Sequence, residues 1–434
     1  MKRLRAGWFI PAILIAGVAH GQEKPVLLKN AYLELGDGRV LKSGSVLFVG
    51  GKITRVEAGT PSVSDDTTVV DLAGAHVYPG FIDAYRTRGI EAGDPPTQAT
   101  APDSRTQALP SMWQGNRKGM RPGMAIDAWK KAREKNSGLE DLKSGVLISN
   151  VAFGGGLIRG VTAIVGVGKD GDIYNEGFAC DLSPRSSGGL PGGTATGYPS
   201  NILGNTALLR QTLYDAKRFA LWTKDDGKDD SNAIYRALAP MWTGGRRALW
   251  EADSEREVSR ALGFAKEFGF TMTIKGGREC ASQADALKAA GIGVILRLDY
   301  PDAPSTKPST NDLDPVPQAV LLERLEIWKD RVKSPGKLAA AGVALAFSSE
   351  GDTMGSFLPN VRNAMANGLS RDAALRALTL GAAELLGLDK THGTIAVGKS
   401  ADLIIMPGDF ATADMEATQV VVNGKLINLK EASK

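Results

Sequence analysis

Histidine is almost missing, with three in 434 residues. A zinc centre of the three- or four-histidine kind would need nearly all of them in one place. Two cysteines, Cys180 and Cys280, are too few for a disulfide-built scaffold or a four-cysteine zinc cluster. Their spacing alone leaves open whether they pair in an oxidising compartment. Net charge is also slight: 52 basic against 48 acidic side chains give +4, and Lys2, Arg3 and Arg5 account for three of those charges. That balance excludes a broad basic surface for nucleic acid. No segment after the N-terminus is long and apolar enough to cross a bilayer, so no stable membrane insertion is expected.

What is present begins with an export pattern. Lys2, Arg3 and Arg5 precede an uncharged apolar stretch at 8–18, and Ala19-His20-Gly21 puts small residues where a signal peptidase inspects the chain. Residues 1–21 read as a signal peptide, with Gln22 opening a mature chain that is periplasmic or secreted. The apolar stretch is shorter than the ~20 residues of a membrane span. His20 leaves with the signal, so His76 and His392 remain.

Apolar residues make up 43% of the chain, enough for a large core. From 25 to 70, short apolar runs alternate with turn signals at Asp37-Gly38 and Gly50-Gly51, which predicts hairpin strands. The segment 394–427 has the same character, with Asn423-Gly424 as its last turn. Between 81 and 386 the pattern changes. Strand-length runs at 146–151, 162–167, 248–251, 271–274, 293–298 and 343–347 alternate with amphipathic stretches at 254–268, 281–290 and 321–340. About 300 residues of such units suit a TIM-like (β/α)8 barrel, with a doubly wound open sheet as the alternative. The expected organisation is a small β-sandwich domain built from both termini (22–78 and 388–434) around a barrel (79–387), within an α/β fold. The Gly-, Ser- and Pro-rich stretch 181–201 reads as a long loop.

Familiar catalytic motifs fail. The glycines at 154–160 fall out of register for a dinucleotide fingerprint, Gly166-Val167-Gly168-Lys169 lacks the rest of a phosphate loop, and no Gly-x-Ser-x-Gly elbow occurs. Two segments nevertheless look familiar. Residues 71–83, ending Tyr78-Pro79-Gly80-Phe81-Ile82-Asp83, and residues 374–403, ending Gly398-Lys399-Ser400-Ala401-Asp402-Leu403, resemble the two ends of the barrel in the amidohydrolase superfamily, close to its imidazolonepropionase-like members.

The resemblance implies a metal-activated water at the C-terminal ends of the barrel strands, with an aspartate on the last strand taking its proton. It also implies where the ligands should stand. The His-x-His positions of the first strand hold Tyr85 and Thr87, and the fifth strand holds Glu251. The sixth holds Gly276, or Lys275 with one step of slippage, and the last holds Glu350. His76 precedes the barrel and His392 follows the closing helix. Zinc prefers imidazole or thiolate, so the usual metal site is expected to be absent, with no cofactor.

Glu251 and Glu350 remain as candidate catalytic carboxylates, and Tyr85, Thr87, Lys275 and Arg297 as candidate substrate-binding groups. Each has a structural alternative. Glu251 could support the helix after Ser254, Glu350 could pair with Lys275 or Arg297, those two cations could be ordinary surface residues, and Tyr85 could fill the space of an imidazole. Two functional readings follow. One is an exported member with a degenerate metal site, a pseudoenzyme that binds a small molecule or supports a partner. The other is a hydrolase of non-peptide C–N bonds that works through its carboxylates, metal-free or with a hard cation held by Asp83, Glu251, Asp253, Glu350 or Asp352. A homo-oligomer or pairing with an active paralogue is the expected assembly.

Overall fold

The computed structural model describes residues 24–87, 124–135, 138–153, 157–168, 171–185, 201–222, 224, 233–307 and 316–431. Residues 1–21, expected above to be a signal peptide, and most of the glycine-rich stretch, 186–200, lie outside the described residues.

Five strands open the chain: β1 (Val26–Glu34), β2 (Val40–Val49), β3 (Lys52–Ala58), β4 (Thr68–Asp71) and β5 (His76–Pro79). β1, β2 and β3 form an antiparallel meander through the two glycine turns, with Leu28 opposite Val46. Next comes the strand-and-helix region: β6 (Phe81–Arg86), β7 (Val146–Val151), β8 (Ile158–Val161), β9 (Ala163–Gly166), β10 (Ile173–Asn175), β11 (Ala179–Leu182), β12 (Arg247–Ala252), β13 (Met272–Gly276), β14 (Gly293–Arg297) and β15 (Leu345–Ser348). The chain returns through β16 (Leu403–Met406), β17 (Gln419–Val422) and β18 (Lys425–Asn428).

Strands from both ends share one sheet, in the order β18, β17, β16, β5, β1, β2, β3, with β4 beside β1. β16 pairs antiparallel with β5, Ile404 facing Tyr78. One apolar cluster joins Leu28, Val46, Phe48 and Val77 to Ile395, Leu403 and Val421. Main-chain bonds from Ile53 to Lys399 (2.9 Å) and from Ala401 to Gly51 (2.8 Å) tie the far edge to the segment before β16. The Asn423-Gly424 turn has φ of 50° and 76°, the doubly left-handed turn that twists with its flanking strands.

The middle region forms two mixed sheets, one of β10, β9, β7 and β6, the other running β15 to β11 and then β8. β11 through β15 are all parallel, as are β6 and β7. The expected all-parallel sheet is broken at β8 and β9, which run antiparallel to β11 and β7. Only Thr162 separates these two short strands, so together they bridge the sheets in the reverse direction. At the other edge β15 lies beside β6, where the Ser348 hydroxyl donates to the Tyr85 carbonyl at 2.5 Å. The helix Glu255–Phe268 starts on a capping box formed by Ser254 and Glu257. The amphipathic stretch 321–340 resolves into two helices, Gln318–Val332 and Ser334–Ala341. Cys180 and Cys280 are free thiols, both buried.

Candidate functional site

Alternation along the parallel strands aims the site. In β12, Ala248, Trp250 and Ala252 join the outer cluster that packs on the helices. Leu249 belongs instead to an inner cluster with Ile82, Ala84, Tyr85, Ile295 and Ala346. Glu251 therefore shares the inner side with Leu249. The ladder sets Glu251 opposite Lys275 and Lys275 opposite Ile295, which places Lys275, and not Gly276, inside. Gly276 has φ of +105°, and a Cβ there would lie 2.5 Å from Asp253 Oδ1, so the residue serves the turn out of the strand.

At the inner ends of these strands Lys275 Nζ lies 2.6 Å from the Tyr85 hydroxyl oxygen and 2.6 Å from Asp181 Oδ1. Tyr85 in turn donates to Asp181 Oδ2 at 2.7 Å. The ammonium also stands 4.0 Å from the centre of the Tyr85 ring. Lys275 is 2% exposed, Tyr85 2% and Asp181 0%. A second group sits beside it. Arg159 Nη2 lies 2.8 Å from Glu251 Oε2, and Ser183 accepts from Arg159 at 3.1 Å while donating to the same Glu251 oxygen at 2.6 Å.

Burial pulls the Lys275 ammonium below the ordinary lysine value, Asp181 opposing and Arg159 assisting. Burial, and then the Asp181 charge, push the Tyr85 phenol well up. Burial alone would raise Glu251, but Lys275 and Arg159 outweigh it and hold that carboxyl below its usual range. Two cations and two carboxylates are thus locked together with a neutral phenol between them.

The remaining candidates are placed differently from expectation. Glu350 does not pair with Lys275 or Arg297; it accepts from the Thr87 N–H at 2.8 Å and the Thr87 hydroxyl at 2.9 Å. Arg297 pairs with Asp299 at 2.6 Å, a carboxylate it shares with Arg278. Lys275 is no surface residue. Glu251 does not support the following helix, because Glu257 takes the N–H groups of Asp253 and Ser254. The proposed hard-cation set is dispersed: Asp83 is held by Ser349, Asp253 by Arg185 and Arg278, and Asp352 by Asn360. His76 stacks on Tyr32 and His392 faces Asp402 at 3.1 Å.

Asp181, Arg159 and Ser183 escaped the sequence reading. Asp181 belongs to β11, whereas the glycine-rich composition downstream assigned it to a loop. The signal was present in the alternation, since Cys180 and Leu182 face the outer cluster and Ala179 the inner one.

The metal that the resemblance implies does not fit these residues. Lysine ammonium is a donor with no lone pair, and it already occupies the carboxylate and phenol nearest the centre. Among the described residues no group of three or more His, Cys, Asp or Glu side chains is placed to hold a metal ion.

The amidohydrolase-family model matches residues 253–427. Comparison with curated protein sequences gives no match. Among solved structures, an amidohydrolase from Thermotoga maritima MSB8 superposes with a TM-score of 0.70 at 19% identity, over 93% of this chain and 99% of its own. A prolidase complexed with N-methylphosphonate-L-proline gives 0.57 at 18% identity, over 93% and 99%. A Xaa-Pro dipeptidase with methionine in its active site gives 0.55 at 16%, over 93% and 100%. These likenesses establish the fold, a TIM-barrel type with an additional domain.

Proposed function

We propose that this chain is an exported member of the amidohydrolase superfamily that binds a small molecule at its strand ends and has lost efficient hydrolysis; the family-model match and the structural likenesses support this. In this reading the two middle sheets close as an eight-stranded barrel, and the shared terminal sheet folds over as a sandwich beside it. The observation that supports it most is Lys275 Nζ at 2.6 Å from both Tyr85 and Asp181, where a water-activating metal would be needed. Tyr85, Thr87, Glu251, Lys275 and Glu350 stand at the family's ligand positions, and each is satisfied by a neighbour within the chain. Relatives named as a prolidase and a dipeptidase point to a small amide-bearing ligand. Export rests on residues 1–21, and pairing with an active paralogue would supply the missing chemistry, whereas a homo-oligomer would repeat the same site.

The test is turnover of an amide and dipeptide panel by the mature protein, with and without divalent metal, beside Glu251→Gln and Glu350→Gln. We expect no turnover in any of the three, substoichiometric zinc, iron and manganese after purification, and no change in Tm on adding a chelator. Turnover that both substitutions abolish would instead establish a hydrolase working through those carboxylates.

A further inference from the structure

We infer that Lys275 and Arg159 are a resident cation pair, two covalently attached positive charges standing where relatives would bind one divalent ion. The inference rests on the functional reading above and goes beyond it by assigning the replaced charge to particular groups.

Three observations carry it. The first is the charge count: two cations, Lys275 and Arg159, meet two carboxylates, Asp181 and Glu251, so this buried group is neutral with the same +2 that a divalent ion would bring. The second is position. Lys275 and Glu251 are ladder partners on adjacent parallel strands, Asp181 is the last residue but one of β11, which lies beside β12, and Tyr85 comes from β6, so the ammonium gathers oxygens from separate strand ends as a bound ion does. The third is burial. Lys275 and Asp181 are cut off from water, and an unpaired carboxylate there would be costly, so the ionised Asp181 calls for a cation beside it, which Lys275 supplies. A tethered cation cannot dissociate, be chelated or bind a water as a Lewis acid. Asp181, Arg159, Ser183 and Tyr85 thereby become positioning residues of a closed electrostatic centre. None is a catalytic residue.

The test removes both tethered charges from the mature chain. Wild type, Lys275→Ala/Arg159→Ala and Lys275→Met are dialysed against Mn²⁺ or Zn²⁺, then assayed for bound metal and for Tm. The double variant should take up about one equivalent and gain several degrees in Tm with metal, because a ligand that binds only the folded state stabilises it. Wild type should do neither. Lys275→Met, which fills the space without the charge, should be destabilised and not recover with metal. The inference is overturned if wild type keeps near-equimolar metal, or if the folded double variant takes up none.

Should the double variant not fold, a second cycle decides. Lys275→Met/Asp181→Asn, which removes one charge of each sign, should be more stable than Lys275→Met alone. Additive losses would overturn the inference. A metal-free wild type that hydrolyses an amide would sink the functional reading and leave this one standing. A wild type that holds metal but turns nothing over would overturn this inference and the metal-free expectation above, and leave only the loss of hydrolysis standing.

Discussion

Asp83, the last residue of the first barrel motif, is fully buried and accepts from the Ser349 N–H at 3.0 Å and hydroxyl at 2.6 Å. Burial lifts its pKa to about 6, while Arg86 and the Ser349 bonds pull down and Asp141 pushes up. A carboxyl with a raised folded pKa binds its proton more tightly folded than unfolded. Its contribution to stability is therefore complete below about pH 4 and is lost as pH climbs through about 6. Asp83→Asn removes that dependence. The difference in Tm between wild type and Asp83→Asn should change across pH 4 to 6, on the order of 3 kcal/mol in unfolding free energy, and stay flat above 7. A difference that is constant from pH 4 to 8 would show that Asp83 keeps an ordinary pKa.

At the scale of elements, strands and turns were legible where composition and period agreed. Val146–Val151 and the turns at Asp37-Gly38, Gly50-Gly51 and Asn423-Gly424 fall where apolar runs and glycine pairs put them. β8 and β11 were missed, because a four-residue strand carrying Arg159 or Asp181 presents too few apolar positions to register. That omission hid half the charge centre, since the sequence supplied Glu251 and Lys275 but not their partners. The choice between Lys275 and Gly276 needed only the two-residue period, with Ile274 outward and Lys275 inward. Two glycines test the element logic directly. Gly276→Ala should destabilise strongly, because φ is +105° and the new Cβ meets Asp253. Gly263→Ala, inside the helix Glu255–Phe268 with open space around it, should stabilise by about 1 kcal/mol in urea unfolding. Equal effects from the two would contradict this account.

Across the whole molecule, the terminal sheet and the barrel region meet through Arg371, on the helix Arg371–Leu378. Its guanidinium bonds Glu34 of β1 and Asp409 of the segment after β16, and lies 5.2 Å over the Phe410 ring. Glu34 is 4% exposed, so losing its partner leaves a carboxylate in poor solvation. Arg371→Ala should cost about 2 kcal/mol, less than a fully buried pair because the arginine is partly solvated. Urea unfolding followed separately by signals from the terminal sheet and from the barrel should show both shifting together. A shift confined to one would mean that the two parts unfold independently.

The pairing of β5 with β16 sets a timetable for synthesis. Tyr78 meets Ile404 only after more than 300 further residues have left the ribosome, so the first strands wait through nearly the whole of translation with one edge unpaired. Such a nascent chain stays threadable until its last strands appear, and it depends throughout on whatever shields that open edge from pairing with a neighbour.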